Sequence, residues 1–232
     1  DPHSIKVQGH PIIMSFSYRW YGEKKTYHLS LEGSPSLNYD DADAWLAEEL
    51  RDLFDEADIV VAHNAFRFDN KVATAAFLRH NLTPPSPYKT VDTLRVARGV
   101  ARFNSNSLNA LCEVFGIGSK STITHSDIWY KCLQGDAKAW KLMEKYNNQD
   151  VNLLYALYEK LRPYISNHPN IGVLVGRPDC CPKCGSEELQ SRGERHTNTS
   201  TYKRFHCQGC GGWCSSRVVD KTLDKPNYVN YS

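Results

Sequence analysis

Two Cys-x-x-Cys pairs, Cys181-Pro-Lys-Cys184 and Cys207-Gln-Gly-Cys210, constrain the C-terminal part of this chain more than any other feature. Each pair is followed at once by a glycine, Gly185 or Gly211. A glycine there lets the backbone fold back so that both sulfurs of a pair face one point. Four thiolates held by two such knuckles form the tetrahedral set that zinc prefers. Six of the eight cysteines lie between 180 and 214, while Cys112 and Cys132 are scattered. Without a secretion signal, that distribution fits a metal site better than a disulfide scaffold. Cys180 breaks the spacing, Cys214 reads as a buried thiol, and His196 and His206 are not needed once four cysteines fill the site. TYKRFHC and GGWCSSRVV read as strands around the second knuckle. The segment is a zinc ribbon, too small to build a core without its metal.

Upstream the pattern changes. PIIMSFSYRW, from Pro11 to Trp20, reads as a strand, and KKTYHLSL, from Lys24 to Leu31, as its hairpin partner. Asp40 to Ala57 reads as an amphipathic helix with acids at its start, Asp58 to Ala62 as a short buried strand, and Asp69 to His80 as a second helix that TPPSP ends. Asp92 is a candidate N-cap, Leu108 to Phe115 and Ser126 to Leu133 are helical, and Asp136 opens a long helix to Leu161. Strands followed by helices, with one strand between helices, make an α/β layer. Residues 1–170 form this domain, 171–178 a linker, 179–220 the ribbon and 221–232 a tail.

A net charge of +2 neither requires nor excludes a nucleic-acid partner, because a basic groove can hide in a neutral total. In the ribbon, Arg195, Lys203 and Arg204 with the rings of Tyr202 and Trp213 form either a solvated face or a nucleic-acid grip. A protein-docking ribbon is the third possibility. No apolar run is long enough to cross a membrane and no signal peptide opens the chain, so a soluble, cytoplasmic protein with no membrane partner is expected.

Two carboxylates stand out. Tyr146 and Asp150 lie four residues apart on the long helix, on one face, and an apolar stripe follows Asp150. An acid at the edge of such a stripe needs a partner or a metal. Asp69 opens a helix just after a buried strand, where the helix dipole alone would favour it. Two acids from separate elements could also hold magnesium or manganese, with the substrate phosphate completing the shell.

Asn64-x-x-x-Phe68-Asp69, followed far downstream by Tyr146-x-x-x-Asp150, resembles the second and third motifs of the DEDDy 3′–5′ exonucleases. The resemblance runs from about 11 to 170 and is nearest to the bacterial and phage branch of family-B-polymerase-like exonucleases. It implies a ribonuclease H-like mixed sheet flanked by helices, with the small C-terminal zinc ribbon appended. It also implies metal-dependent cleavage of DNA, more than RNA, from single-stranded or frayed ends. Asp69 and Asp150 would hold the metals and Tyr146 would orient the attacking water. Asn64 and Phe68 would line the path of the terminal nucleotide. His63 would contact substrate or serve as a structural donor. A replication or repair protein is a further expected partner.

The family's first motif, Asp-x-Glu on its first strand, has no counterpart here. Asp1-Pro2-His3 supplies an Asp without the Glu. Either polypeptide upstream of Asp1 carries the motif, or the chain is an inactive scaffold that binds without cutting. Removing a central strand would strand unpaired backbone groups on its neighbours, which favours the first.

Overall fold

A computed structural model of the chain describes residues 12–34, 41–119 and 126–219. The expectations for Asp1, Pro11, Asp40 and the tail 221–232 lie outside these residues. The chain divides into two compact units, Asp1–Tyr158 and Glu159–Ser232. The division falls within the long helix, upstream of the boundary expected at 170.

In the first unit, β1 (Ser15–Tyr18) and β2 (Tyr27–Ser30) form the expected hairpin, with Phe16 opposite Leu29. Gly22 makes its turn at a φ of 89°. α1 (Ala44–Glu56) follows, but the acid before it has another task than capping. Asp43 is fully buried. Its carboxylate accepts the Ile13 backbone N–H at 2.7 Å, the Arg79 guanidinium at 2.5 Å and His80 Nε2 at 2.8 Å. A buried charge is tolerable only when paired and hydrogen-bonded in this way.

β3 (Ile59–Ala62) leads to α2 (Asp69–Arg79), and β4 (Lys89–Asp92) runs parallel to β3 with Ala62 opposite Asp92. β4 has no counterpart in the sequence reading. It is four residues long and starts on an exposed lysine, so only its pairing with β3 makes it a strand. Asp92 caps α3 (Thr93–Val100) as expected, accepting from the Leu94 and Arg95 amides. α4 (Leu108–Val114), α5 (Ser126–Leu133) and α6 (Ala137–Leu161) complete the unit's helices, and Asp136 accepts the Lys138 amide at 2.8 Å to start α6. Leu46, Ala47, Ala73, Ala76, Phe77, Trp140 and Met143 build one apolar core with Ile13 and Met14 beside β1. Phe54 meets Phe77 edge-on at 6.2 Å between α1 and α2.

The expected single mixed sheet is present as two two-stranded pieces, β1–β2 and β3–β4. No strand among the described residues joins them.

In the second unit the end of α6 runs into a 3-10 turn, Arg162–Tyr164, and the segment expected as a linker carries the short helix α7 (Ile171–Leu174). The Ile171 amide donates to the Pro182 carbonyl at 2.8 Å, and Lys183 Nζ donates to the Pro163 carbonyl. These bonds tie α7 and the 3-10 turn to the first knuckle. β5 (Leu189–His196), β6 (Thr201–Cys207) and β7 (Trp213–Val219) form an antiparallel sheet in that order.

Candidate functional site

The stretch VAHNAFRFDN turns the chain from β3 into α2. Asn64 sits in the left-handed region at a φ of 74°, a conformation asparagine tolerates better than most residues. Its amide donates to Asp92 Oδ1 at 3.0 Å, and its carbonyl accepts the Arg67 and Phe68 amides. The tight turn sets Asp69 at the first position of α2 and leaves the Phe68 ring 62% exposed. Burial pushes the Asp69 carboxyl above the ordinary carboxylate range. Its own backbone N–H opposes that shift, and the nearby charge of Asp92 adds to it.

Asparagines fix the other acid in place. On α6, Asn148 Oδ1 accepts from Ser17 at 2.8 Å, Asn147 donates to Ser15 at 2.9 Å, and Asn152 accepts from Arg19 and Thr26. These bonds lock α6 against the β1–β2 hairpin and so set the position of Asp150, within the same turns of helix.

Asp69 and Asp150 line one cavity of about 650 Å³, together with His63, Phe68 and Trp129. Val151, Leu154, Tyr155 and Tyr158, the apolar stripe after Asp150, line it too. Asn64 and Tyr146 are not among the lining residues. His63 is held from both ring nitrogens: Nε2 donates to the Asn106 carbonyl at 3.0 Å, and Nδ1 is 2.9 Å from Thr93 Oγ1.

The walls of this cavity are unusual. All four residues of β1 and all four of β3 line it. Side chains alternate along a strand, so a cavity above one face touches every second residue, while a cavity at an edge touches all of them. β1 and β3 therefore meet the space edge-on, on the sides where neither has a hydrogen-bonded neighbour among the described residues. Ile59-Val60-Val61-Ala62 is a continuous apolar run, typical of a strand covered on both sides, yet here it is only half-buried.

Asp92 and Asn148 are the residues that sequence reasoning missed. Asp92 was legible as a cap, but its bond to Asn64 depends on the β3–β4 register. The asparagine cluster before Asp150 was the only signal for Asn148.

In the second unit, the sulfurs of Cys181, Cys184, Cys207 and Cys210 all lie within 4.8 Å of one another. Cys181 and Cys210 are 3.8 Å apart, and Cys184 and Cys207 3.6 Å. A zinc tetrahedron with bonds of about 2.3 Å has sulfur–sulfur edges of about 3.8 Å, so the set fits that ion. Gly185 and Gly211 both turn at a φ of 75°, as the knuckles require. Burial pushes the Cys207 thiol up, but hydrogen bonds from the Cys210 backbone and the neighbouring sulfurs more than offset it and bring it to about 7. Cys180 Sγ is instead 3.2 Å from the Arg177 carbonyl, and burial raises Cys214 to about 11.

Among the described residues, no helix is long and apolar enough to cross a membrane. A family model described as RNase_H superfamily matches residues 8–162, which is most of the chain. No curated protein matches it.

Proposed function

We propose, from the premise that the chain belongs to the ribonuclease H superfamily, that it is a metal-dependent 3′–5′ exonuclease acting on single-stranded or frayed DNA ends. Superfamily membership suggests a nuclease-type function with nucleic acid as substrate. The finer reading rests on one observation: two carboxylates from separate elements, Asp69 and Asp150, open onto the same cavity. Their hard oxygens suit magnesium or manganese, and such ions, when bound, supply charge neutralisation for the attacking and leaving oxygens.

The chain's own residues supply the rest. Water attacks the terminal phosphodiester and the 3′ oxygen of the penultimate nucleotide leaves. Phe68, exposed beside the cavity, offers a ring on which the terminal base stacks. Tyr146 lies one turn before Asp150 but outside the cavity lining, and the resemblance alone gives it the role of orienting the water. Asn64 holds the turn that aims Phe68 and Asp69, and His63 braces the strand end. Cys181, Cys184, Cys207 and Cys210 hold a structural zinc that stabilises a C-terminal ribbon. A replication or repair protein remains a proposed partner.

A further pair of metal-holding acids would enter between β1 and β3. The cavity supports that placement, because it borders an edge of each strand that has no hydrogen-bonded neighbour among the described residues. The same opening supports a second reading, a scaffold that binds nucleic acid without cutting it. A 5′-labelled oligonucleotide separates the two. A ladder that needs magnesium or manganese and vanishes in Asp150→Ala supports the exonuclease. Salt-sensitive binding with no ladder in either metal supports the scaffold.

A further inference from the structure

We infer that one face of the three-stranded sheet in the second unit binds single-stranded nucleic acid, with Trp213 as the stacking platform and Arg204 and Arg195 as phosphate contacts. This goes beyond the exonuclease reading and does not rest on it.

The register defines the face. His206 lies opposite both Trp213 and Gln190, Arg204 opposite Ser215, and Tyr202 opposite Arg195. Directly opposed residues project to the same side, and alternate residues of β6 share that side. One face therefore gathers Trp213, His206, Arg204, Arg195, Tyr202 and Gln190. None of its paired positions carries a carboxylate. Glu194 lies opposite Lys203, which puts both on the other face. The expectation that Lys203 belongs to the grip is thus corrected by the register: one residue along a strand changes sides.

The groups on this face are held in place. The Trp213 side is 49% exposed, with the His206 ring 4.8 Å from its own. The Arg204 guanidinium lies 4.9 Å from the indole centroid, and its Nε donates to the Arg192 carbonyl at 3.0 Å. Arg195 donates to Ser215 Oγ at 3.3 Å. An exposed indole ringed by cations, an imidazole and an amide is a poor match for an apolar peptide. It matches a strand of unpaired bases, which offers π-faces to the ring and phosphates to the arginines. Double-stranded nucleic acid hides its base faces and would leave Trp213 unused.

The test uses the full, zinc-loaded chain without added magnesium or manganese, titrated into 5′-fluorescein-labelled dT12 and U12 and followed by anisotropy. Trp213→Ala and Arg204→Glu are expected to weaken binding about tenfold. Trp213→Phe should retain most of it, and Lys203→Ala, on the opposite face, should stay within twofold. Zinc content, measured for each variant, separates a lost contact from a lost fold. Affinities within twofold of the parent for both Trp213→Ala and Arg204→Glu, with zinc retained, would overturn the inference. So would failure of the parent to bind either oligonucleotide at low salt. Cleavage activity does not enter the readout, so a failed exonuclease reading leaves this test intact.

Discussion

The Asn64 backbone N–H donates to the carboxylate of Asp92 at 3.0 Å, and through that bond the end of β4 holds the turn that presents Phe68 and Asp69. The same Oδ1 also accepts the Leu94 and Arg95 amides that open α3. One buried carboxylate, 4% exposed, thus serves a left-handed turn and a helix start together.

Asp92→Ala should therefore cost more than a cap alone. A lost cap costs about 1 kcal/mol, and stranding the Asn64 amide in a half-buried turn adds about as much again. Chemical denaturation should read a loss of about 2 kcal/mol. An unchanged midpoint would show that water replaces the carboxylate without penalty.

Asp69 carries a pH signature. Burial, then Asp92, holds its folded-state pKa above the ordinary value, so the folded chain prefers the neutral acid. Stability contributed by this group is greatest at low pH and falls as pH rises through the raised pKa. Asp69→Asn should raise the melting temperature at pH 7 in metal-free buffer while abolishing cleavage, and the gain should shrink toward pH 3. A variant that melts lower than the parent at pH 7 would contradict a destabilising charge at this position.

Asp150 and Tyr146 should separate in kinetics. Asp150→Ala removes a proposed metal ligand and should leave no measurable ladder. Tyr146→Phe keeps the ring and loses only the hydroxyl, so cleavage should fall about 10²-fold. Equal and complete loss in both variants would argue that Tyr146 ligates or supports the fold.

Zinc removal should act on the second unit. The three strands carry few buried side chains, and Cys181 and Cys207 are among the most buried residues there. Chelation should abolish the β-sheet signal of this unit, and the purified chain should carry one zinc. A chelated chain with an unchanged circular dichroism spectrum would mean the strands stand without metal.

The slot between β1 and β3 should show in hydrogen exchange. The amides of Ser17 and Val61, which point away from β2 and β4, should exchange faster than that of Leu111, a buried residue of α4. A strand added at the slot should protect them. Protection already present in the 232 residues would mean both edges are satisfied some other way.

Much of this protein was legible in its sequence because the signals were local. Asp92 and Asp136 cap the helices that follow them, accepting amides two or three residues on. Gly185 and Gly211 turn the knuckles they follow. Each Cys-x-x-Cys spacing sets its own two sulfurs close together. Tertiary structure alone decided the rest. Asp43 looked like a helix-start acid, and only the approach of Ile13, Arg79 and His80 made it a buried hub. β4 became a strand only beside β3, since parallel pairing is stabilised by a partner distant in the chain. The single sheet implied by family likeness separated into two, because no described strand bridges β1 and β3. Lys203 left the Trp213 face through register, which depends on a neighbouring strand. Local chemistry is written residue by residue, while pairing, burial and a shared cavity arise only when distant segments meet.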